Sequence, residues 1–184
     1  MMSCLPENVS TYGGEVDFLF YLIYYITAVT FLLVAIAMVT FLILYRHREG
    51  RRARYFHGHA GLEFTWTLVT FLIMITLAAL SQGTWAKIKG PAPATDLQVQ
   101  VTAKQFNWEI LYPGPDGKFG TKDDRQMDNE IHVPVNRPVR VILKSKDVIH
   151  SLFLPNLRFK QDAVPGRAID AWFEATKVGK YEMP

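Results

Sequence analysis

The sequence predicts a two-helix transmembrane hairpin followed by an all-β head. Three observations lead to this fold class: two long apolar runs without charge, an arginine-rich connection between them, and a second half in which short alternating segments are separated by turn residues. With 184 residues, the chain is long enough for one modest soluble domain besides the two membrane spans.

The two apolar runs cover residues 18–45 and 64–86, and neither contains a charged side chain. Each run exceeds the ~20 residues that a helix needs to cross ~30 Å of hydrocarbon. Because a helix satisfies its own backbone polar groups in lipid, both runs are predicted to be transmembrane helices. Aromatic residues typical of the headgroup region lie near their ends, namely Tyr21, Tyr24, Tyr25, Tyr45, Trp66 and Trp85.

The connection "RHREGRRARYFHGH" determines the predicted orientation, because it carries five arginines against the single acid Glu49. The positive-inside rule places this connection in the cytoplasm and both of its flanks on the other side of the membrane. The predicted segments are an outward N-terminal segment at 1–17, helices at 18–45 and 64–86, a basic cytoplasmic loop at 46–63, a linker at 87–96 and a β domain at 97–184.

Charge and cysteine content exclude other classes of protein. The formal net charge of +3 comes from the arginine-rich loop, while acids and bases are mixed in the head, so we expect no nucleic-acid partner. The single cysteine, Cys4, has no partner for an internal disulfide. We expect a free thiol there, with a lipidated cysteine as the alternative.

The head is predicted from six strand-like segments: "LQVQVTA", "QFNWEILY", "NEIHVPV", "PVRVILKS", "HSLFLP" and "IDAWFEA". Clusters of proline, glycine and asparagine separate them, and no helical period extends over a comparable length. Short strands with this punctuation favour an antiparallel sandwich or a small barrel.

Three segments carry a resemblance to a known family: "KQFNWEILY", "DVIHSLFLPNLRFKQDAVPGR" and "GLEFTWTL". They resemble subunit II of the haem-copper cytochrome c oxidases. The resemblance covers nearly the whole chain in the same order, and its most specific part is the run from Asp147 to Arg167. It implies that the head is a cupredoxin-like Greek-key sandwich.

The resemblance also implies a binuclear copper centre, CuA, which the family holds with two thiolates, two histidines, a methionine and a backbone carbonyl. Thiolate and imidazole are ligands that suit copper. His150 matches the first histidine ligand, and Asp147 would lie beside it. Without the resemblance, a lone histidine is more often a hydrogen-bonded or surface residue. The family's Cys-x-x-x-Cys-x-x-x-His-x-x-Met segment is not present, and we expect the remaining ligands after Pro184, in a chain that is incomplete at its C-terminus.

Electron entry and docking follow from the same resemblance. Phe106 lies where the family has its leading tryptophan, and Trp108 matches a later tryptophan of that cluster, although an ordinary core aromatic is an equal alternative for Trp108. Glu109 and Asp147 are candidates, with other nearby acids, to steer a basic cytochrome c, although lysines are interspersed. Asp162 and Arg167 match positions near the junction with the catalytic subunit.

Glu63 is a candidate entrance to a proton path, because the resemblance places a glutamate there at the cytoplasmic mouth of the second helix. The alternative is a first-turn acid that stabilises the helix dipole. The other histidines have simpler interpretations: His132 as a strand residue, and His47, His57 and His59 as solvated or interfacial residues of the loop.

The loop "PGPDGKFGTKDD" has acids at Asp116, Asp123 and Asp124. Its spacing does not match a calcium-binding EF-hand, so a glycine-rich hairpin loop with solvated acids is favoured over a calcium site. A contact surface for a neighbouring subunit is a further alternative.

The function implied by the resemblance is that of the electron-input subunit of a terminal respiratory oxidase. Electrons would pass from cytochrome c, or from a cytochrome c domain, through copper to haem in catalytic subunit I, where oxygen is reduced to water. Other oxidase subunits and membrane lipid are further expected partners, and the expected location is a bacterial inner (cytoplasmic) membrane with the head on the periplasmic or outer side. Two alternatives stay open: a copper-less bracing subunit of a quinol oxidase, and a free-standing, membrane-tethered copper-binding protein.

Overall fold

A computed structural model describes residues 5–52 and 55–184. Two residues with sequence-based predictions lie outside these ranges: Cys4, expected to be a free thiol, and Arg54, one of the arginines of the basic loop. The described residues form two units. The membrane unit is Asp17–Gly83, and the head unit combines the described residues of Met1–Val16 with Thr84–Pro184.

Two helices dominate the first part of the chain: α1, Gly13–Leu44, and α2, Ala60–Lys89. Both are long and apolar enough to cross a membrane. Each helix begins at least one turn before the uncharged run from which it was predicted. Its first turn contains an acid, Glu15 in α1 or Glu63 in α2, and the helix dipole favours negative charge at the N-terminal end.

Several threonines of the two helices form hydrogen bonds from their hydroxyl groups to the backbone of their own helix. In each case the hydroxyl donates to the carbonyl four residues earlier, at Thr30, Thr65, Thr67, Thr70 and Thr76. These hydroxyls are therefore satisfied without a partner helix, which is how such side chains are tolerated in an apolar surrounding.

The head contains seven strands in two sheets. They are β1 Gln98–Lys104, β2 Asn107–Tyr112, β3 Arg125–Asp128, β4 Pro138–Ser145, β5 His150–Leu154, β6 Phe159–Ala163 and β7 Ile169–Glu174. Five of them form a sheet in the order β3-β2-β1-β4-β7, while β5 and β6 form a two-stranded sheet. This arrangement confirms a β-sandwich after two apolar helices.

The large sheet is mixed, whereas the sequence favoured an antiparallel sandwich or a small barrel; the sandwich is confirmed, but its strands are not all antiparallel. β1 and β4 pair in parallel, with Val99 beside Val141 and Val101 beside Leu143, whereas the other pairs are antiparallel. Alternation along one strand reports which face is buried, not the direction of the neighbouring strand. Because parallel strands end at the same edge, the residues that follow β1 and β4 meet.

The sequence expectation was wrong for two segments. "NEIHVPV" is irregular and the strand lies just before it, at Arg125–Asp128, because Asn129 adopts a positive φ of 59° and its N–H bonds to the carbonyl of Trp108. His132 is consequently a loop residue. β6 was missed because two of its five residues, Lys160 and Asp162, are charged and point to solvent.

The N-terminal segment forms part of the head, a feature that the sequence did not predict. Val9 and Tyr12 are fully buried. The segment runs antiparallel to the end of β7 and the residues after it: the N–H of Thr11 bonds to the carbonyl of Glu174, and that of Thr176 to the carbonyl of Val9. The first residues of the chain thus extend the edge of the large sheet.

Side chains at the entrance to α1 reinforce this packing. The Oδ1 atom of Asn8 accepts the N–H of Ser10 at 2.9 Å and lies so close to Gly13 that a Cβ there would approach it within 2.0 Å. Glycine is therefore required at position 13 unless Asn8 moves. An ion pair of 2.5 Å joins Glu15 of α1 to Lys87 of α2.

Candidate metal centre and docking tip

The ends of β1 and β4 create the site. Residues 104–109 and 145–150, here called the tip, leave these two parallel strands at the same edge of the sheet. The N–H of Lys146 bonds to the carbonyl of Ala103 at 2.9 Å, and the N–H of Gln105 bonds to Oδ2 of Asp147 at 2.6 Å. Two turns that are far apart in sequence are thereby held side by side.

His150 lies at the start of β5 with its ring half-buried. Its Nε2 is 2.7 Å from Oδ1 of Asp147. When the carboxylate accepts a hydrogen bond from the N–H at Nε2, the free lone pair of the neutral ring lies on Nδ1, as in a metal-binding histidine with a supporting carboxylate.

Asp147 is held in its ionised form. Its pKa is lowered to about 2, first by the hydrogen bond from His150 and then by those from the N–H groups of Gln105 and Val148. A carboxylate with three donors stays charged across the physiological range. The backbone thus fixes the acid that orients the imidazole.

Two aromatic residues flank the histidine. The ring of Trp108 meets that of His150 edge-on, with centroids 5.9 Å apart, and its half-buried side chain also packs against the core. Phe106 lies at the turn between β1 and β2 and is 96% exposed. Trp108 is therefore adjacent to the candidate ligand, and Phe106 projects into solvent.

Glu109 is engaged by two lysines. Its Oε1 accepts the ammonium of Lys104 and its Oε2 that of Lys146, each at 2.5 Å. These hydrogen bonds lower the pKa of Glu109 and raise that of Lys104. Both acids chosen as docking candidates, Glu109 and Asp147, thus have their oxygens occupied within the chain.

This cluster yields a pH-dependent prediction. The folded-state pKa of Glu109 lies below its ordinary value of 4.5, so the carboxylate stabilises the fold above pH 4.5 and this contribution is lost as the pH falls through the folded-state value. We expect Glu109→Gln to lower the Tm of the head at pH 7 by about 2–4 °C. The deficit should shrink steadily below pH 4.5 in calorimetry of the full chain in detergent.

The control is Glu182→Gln, which changes an exposed acid near the end of the head. This substitution should leave the Tm of the head unchanged at pH 7 and below pH 4.5. A deficit for Glu109→Gln that persists at low pH would mean that the amide disturbs packing and not an ionic contact.

The other predicted residues lie apart from His150 and Trp108. Asp162 is exposed on β6, opposite Ser151 of β5. Arg167 is exposed at the end of a turn in which its N–H bonds to the carbonyl of Val164, and Gly166 there has a positive φ of 74°. Glu63 belongs to the membrane unit, in the first turn of α2.

The acidic loop after β2 is organised by its own backbone. Asp124 accepts the N–H groups of Gly120 and Thr121 as well as the hydroxyl of Thr121, and Asp116 accepts the N–H of Lys118. These bonds occupy carboxylate oxygens that a cation would need. The arrangement is that of a hairpin loop stabilised by its acids.

The described residues provide only part of a copper site. In residues 5–52 and 55–184, no three histidine, cysteine, aspartate or glutamate side chains lie together in a way that could hold a metal ion. His150 can supply one nitrogen ligand and Asp147 its support, but a copper ion needs further ligands, preferably sulfur. These residues therefore do not hold copper by themselves, although they fit one corner of such a site.

Comparison with protein families identifies the chain. Residues 98–182 match the family model described as the periplasmic domain of cytochrome c oxidase subunit II. Residues 4–82 match the model described as the transmembrane domain of the same subunit. The chain belongs to the cytochrome c oxidase subunit II family. The predicted resemblance is confirmed, and this subunit II is a membrane-anchored protein with a periplasmic-type domain.

Individual relatives include both kinds of oxidase. This subunit II is 27% identical to the alternative cytochrome c oxidase subunit 2 of Bradyrhizobium diazoefficiens, over 95% of the chain and 71% of the relative. It is 29% identical to cytochrome c oxidase subunit 2 of Thermostichus vulcanus, over 97% and 68%. It is 31% identical to quinol oxidase subunit 2 of Bacillus subtilis, over 86% of the chain, but spans only 48% of that relative.

Sequence reasoning missed two features of the tip. The exposed pair Val148 and Ile149 was contained in the quoted motif, and the available signal was two apolar residues directly between the polar Asp147 and His150. The double engagement of Glu109 had no sequence signal, because Lys146 is brought to it by the pairing of β1 with β4.

Proposed function

We propose that this subunit II is the electron-input subunit of a terminal respiratory oxidase in a bacterial inner membrane. It accepts electrons from cytochrome c at a binuclear copper centre and passes them to haem in catalytic subunit I, where oxygen is reduced to water. The observation that supports this proposal most is the orientation of His150 by an ionised Asp147 beside Trp108. In this proposal the remaining copper ligands are supplied from outside the described residues, because these do not form a complete metal site.

Within this proposal each residue has a distinct task. His150 presents Nδ1 as a ligand, Asp147 holds the proton on Nε2, and the packing of Trp108 restricts the ring. A copper ion held by His150 would supply one-electron chemistry at this position. Trp108 and the exposed Phe106 then lie on the route by which an electron enters.

Three further residues have proposed roles outside the tip. Asp162 and Arg167, both exposed on the head, contact the catalytic subunit. Glu63, in the first turn of α2, collects protons at the cytoplasmic face of the membrane. Its position also suits a simple dipole-stabilising acid, so its substitution by glutamine must be examined for proton uptake and for helix stability separately.

A second candidate is a copper-less bracing subunit of a quinol oxidase. The quinol oxidase subunit 2 of Bacillus subtilis reaches a percentage identity comparable to that of the cytochrome c oxidase relatives, although over a smaller share of both chains. In that case His150 and Asp147 form only a structural hydrogen bond. A free-standing copper-binding protein is the third possibility, and it would purify without a haem-bearing partner.

The choice of electron donor separates these functions. The complete protein should be purified from its native membrane together with whatever assembles with it, and oxygen uptake measured with reduced cytochrome c and with a reduced quinol. We expect uptake with cytochrome c, none with quinol alone, and copper in the head by metal analysis. Uptake with quinol by a copper-free head would establish the bracing subunit.

A further inference from the structure

Two contacts tie the first turn of the tip to the second, one at each end of the first turn. At its start, the N–H of Gln105 bonds to the carboxylate of Asp147 at 2.6 Å. At its end, the carboxylate of Glu109 accepts the ammonium of Lys146 at 2.5 Å. Trp108 lies between these two ties, and its ring contacts the candidate copper ligand. The position of this ring relative to the second turn therefore depends on both ties.

The backbone of Trp108 is fixed from the other side. Its N–H donates to Oδ1 of Asn129 at 2.9 Å, and its carbonyl accepts the N–H of Asn129 at 2.9 Å. These bonds hold the first turn against the residue that follows β3. The second turn, which carries His150, is therefore the part that Glu109 can draw toward Trp108 or release.

Glu109 divides its two oxygens between the turns. Oε1 accepts the ammonium of Lys104, five positions earlier on the same hairpin, whereas Oε2 accepts that of Lys146, 37 positions later on the other turn. The Glu109 side chain is only 20% exposed, so both bonds are charge-assisted and partly shielded from water. Of these two bonds, only the second joins the two turns.

Neighbouring acids make the two lysines unequal. Asp128 is exposed opposite Glu109 in the pairing of β2 with β3. The hydrogen bond with Glu109, and to a smaller extent the charge of Asp128, raise the pKa of Lys104. Glu130 is also exposed, but it is paired with a histidine of its own loop. In the part of the chain that the structure describes, the ion-pair partner of Lys146 is Glu109, so loss of this lysine breaks the link between the turns.

We propose that Glu109 is a positioning residue whose bond to Lys146 sets the contact between the rings of Trp108 and His150. The contact exists without copper, so the positioning is measurable on this chain alone. Its consequence rests on the proposed function, in which His150 holds copper and the electron enters through Trp108. The bond then determines how closely the entry residue approaches the ligand.

A matched pair of variants tests the positioning in the copper-free complete protein in detergent. Lys146→Met and Lys104→Met each remove one ammonium group from Glu109, but only the first separates the two turns. With fluorotryptophan incorporated, Lys146→Met should shift and broaden the fluorine NMR resonance of Trp108, which is assigned with Trp108→Phe. Lys104→Met should leave that resonance in place. The resonance of the buried Trp172 should not move in either variant.

Hydrogen exchange of the Gln105 amide measures the size of the effect. Because this amide bonds across the same gap, its exchange rate should rise about two- to fivefold in Lys146→Met, the range expected for a partly exposed ion pair. Lys104→Met should leave the rate unchanged. Lys146→Arg, which retains the charge and reaches the same carboxylate, should restore the slow rate.

Turnover of the copper-loaded oxidase tests the consequence. Both methionine variants remove one positive charge from the tip, so any change in the KM for cytochrome c is shared, but only Lys146→Met should lower kcat several-fold. Equal fluorine spectra and exchange rates in the two variants would overturn the positioning. A resonance that moves in Lys146→Met while kcat stays unchanged would contradict the entry route through Trp108 and leave the positioning intact.

Discussion

Replacing His150 with asparagine is expected to remove copper from the head and to abolish oxidation of cytochrome c by the assembled oxidase. Asparagine keeps polarity and approximate size but lacks the imidazole nitrogen that binds copper. Loss of an outer-shell partner alone costs metal sites about 10–100-fold in affinity or activity. Loss of the ligand itself should exceed that range, in metal analysis and in steady-state oxygen uptake.

His132→Asn is the matched control. His132 is another histidine of the head, exposed in a loop and paired with Glu130 at 3.1 Å, and its replacement should leave copper content and turnover unchanged. Asp147→Asn should give an intermediate result, because the imidazole remains but loses its charged acceptor. If His150→Asn keeps both copper and activity, the assignment of His150 as a ligand is wrong.

Truncating Tyr12 to alanine is expected to destabilise the head by about 3–5 kcal/mol, as for other large buried aromatic side chains. Tyr12 is fully buried, and its ring packs edge-on against Trp172 with centroids 5.5 Å apart. Its burial also raises the pKa of its phenol, so the ring stays neutral. Hydrogen exchange of the β7 amides in the full chain would measure the loss.

Thr11→Ala is the control for this prediction. Thr11 is exposed and contributes its backbone N–H to Glu174, which alanine retains, so the change should lie within about 0.5 kcal/mol. Similar exchange rates in Tyr12→Ala and Thr11→Ala would mean that the N-terminal segment only rests on the head. The expected difference instead implies that a head cut at Gln98 lacks part of its own core.

Local patterns were sufficient for the features that one segment determines alone. The uncharged runs at 18–45 and 64–86 predicted two long apolar helices, and the alternation of Val99 and Val101 predicted a half-buried strand. The run from Asp147 to Arg167 indicated the family. In each case the chemical signal lies within the residues that carry it, so no knowledge of distant contacts is needed.

Tertiary structure decided the features that depend on residues far apart in sequence. The parallel pairing of β1 and β4, the burial of Val9 and Tyr12 against residues up to 160 positions away, and the inward engagement of Glu109 all depend on such contacts. Hydrophobic periodicity reports that a face is buried but not what covers it, and charge reports that an acid is present but not whether a lysine already occupies it. Only the folded chain settles these pairings, because they follow from strand order and packing and not from the neighbours of each residue in sequence.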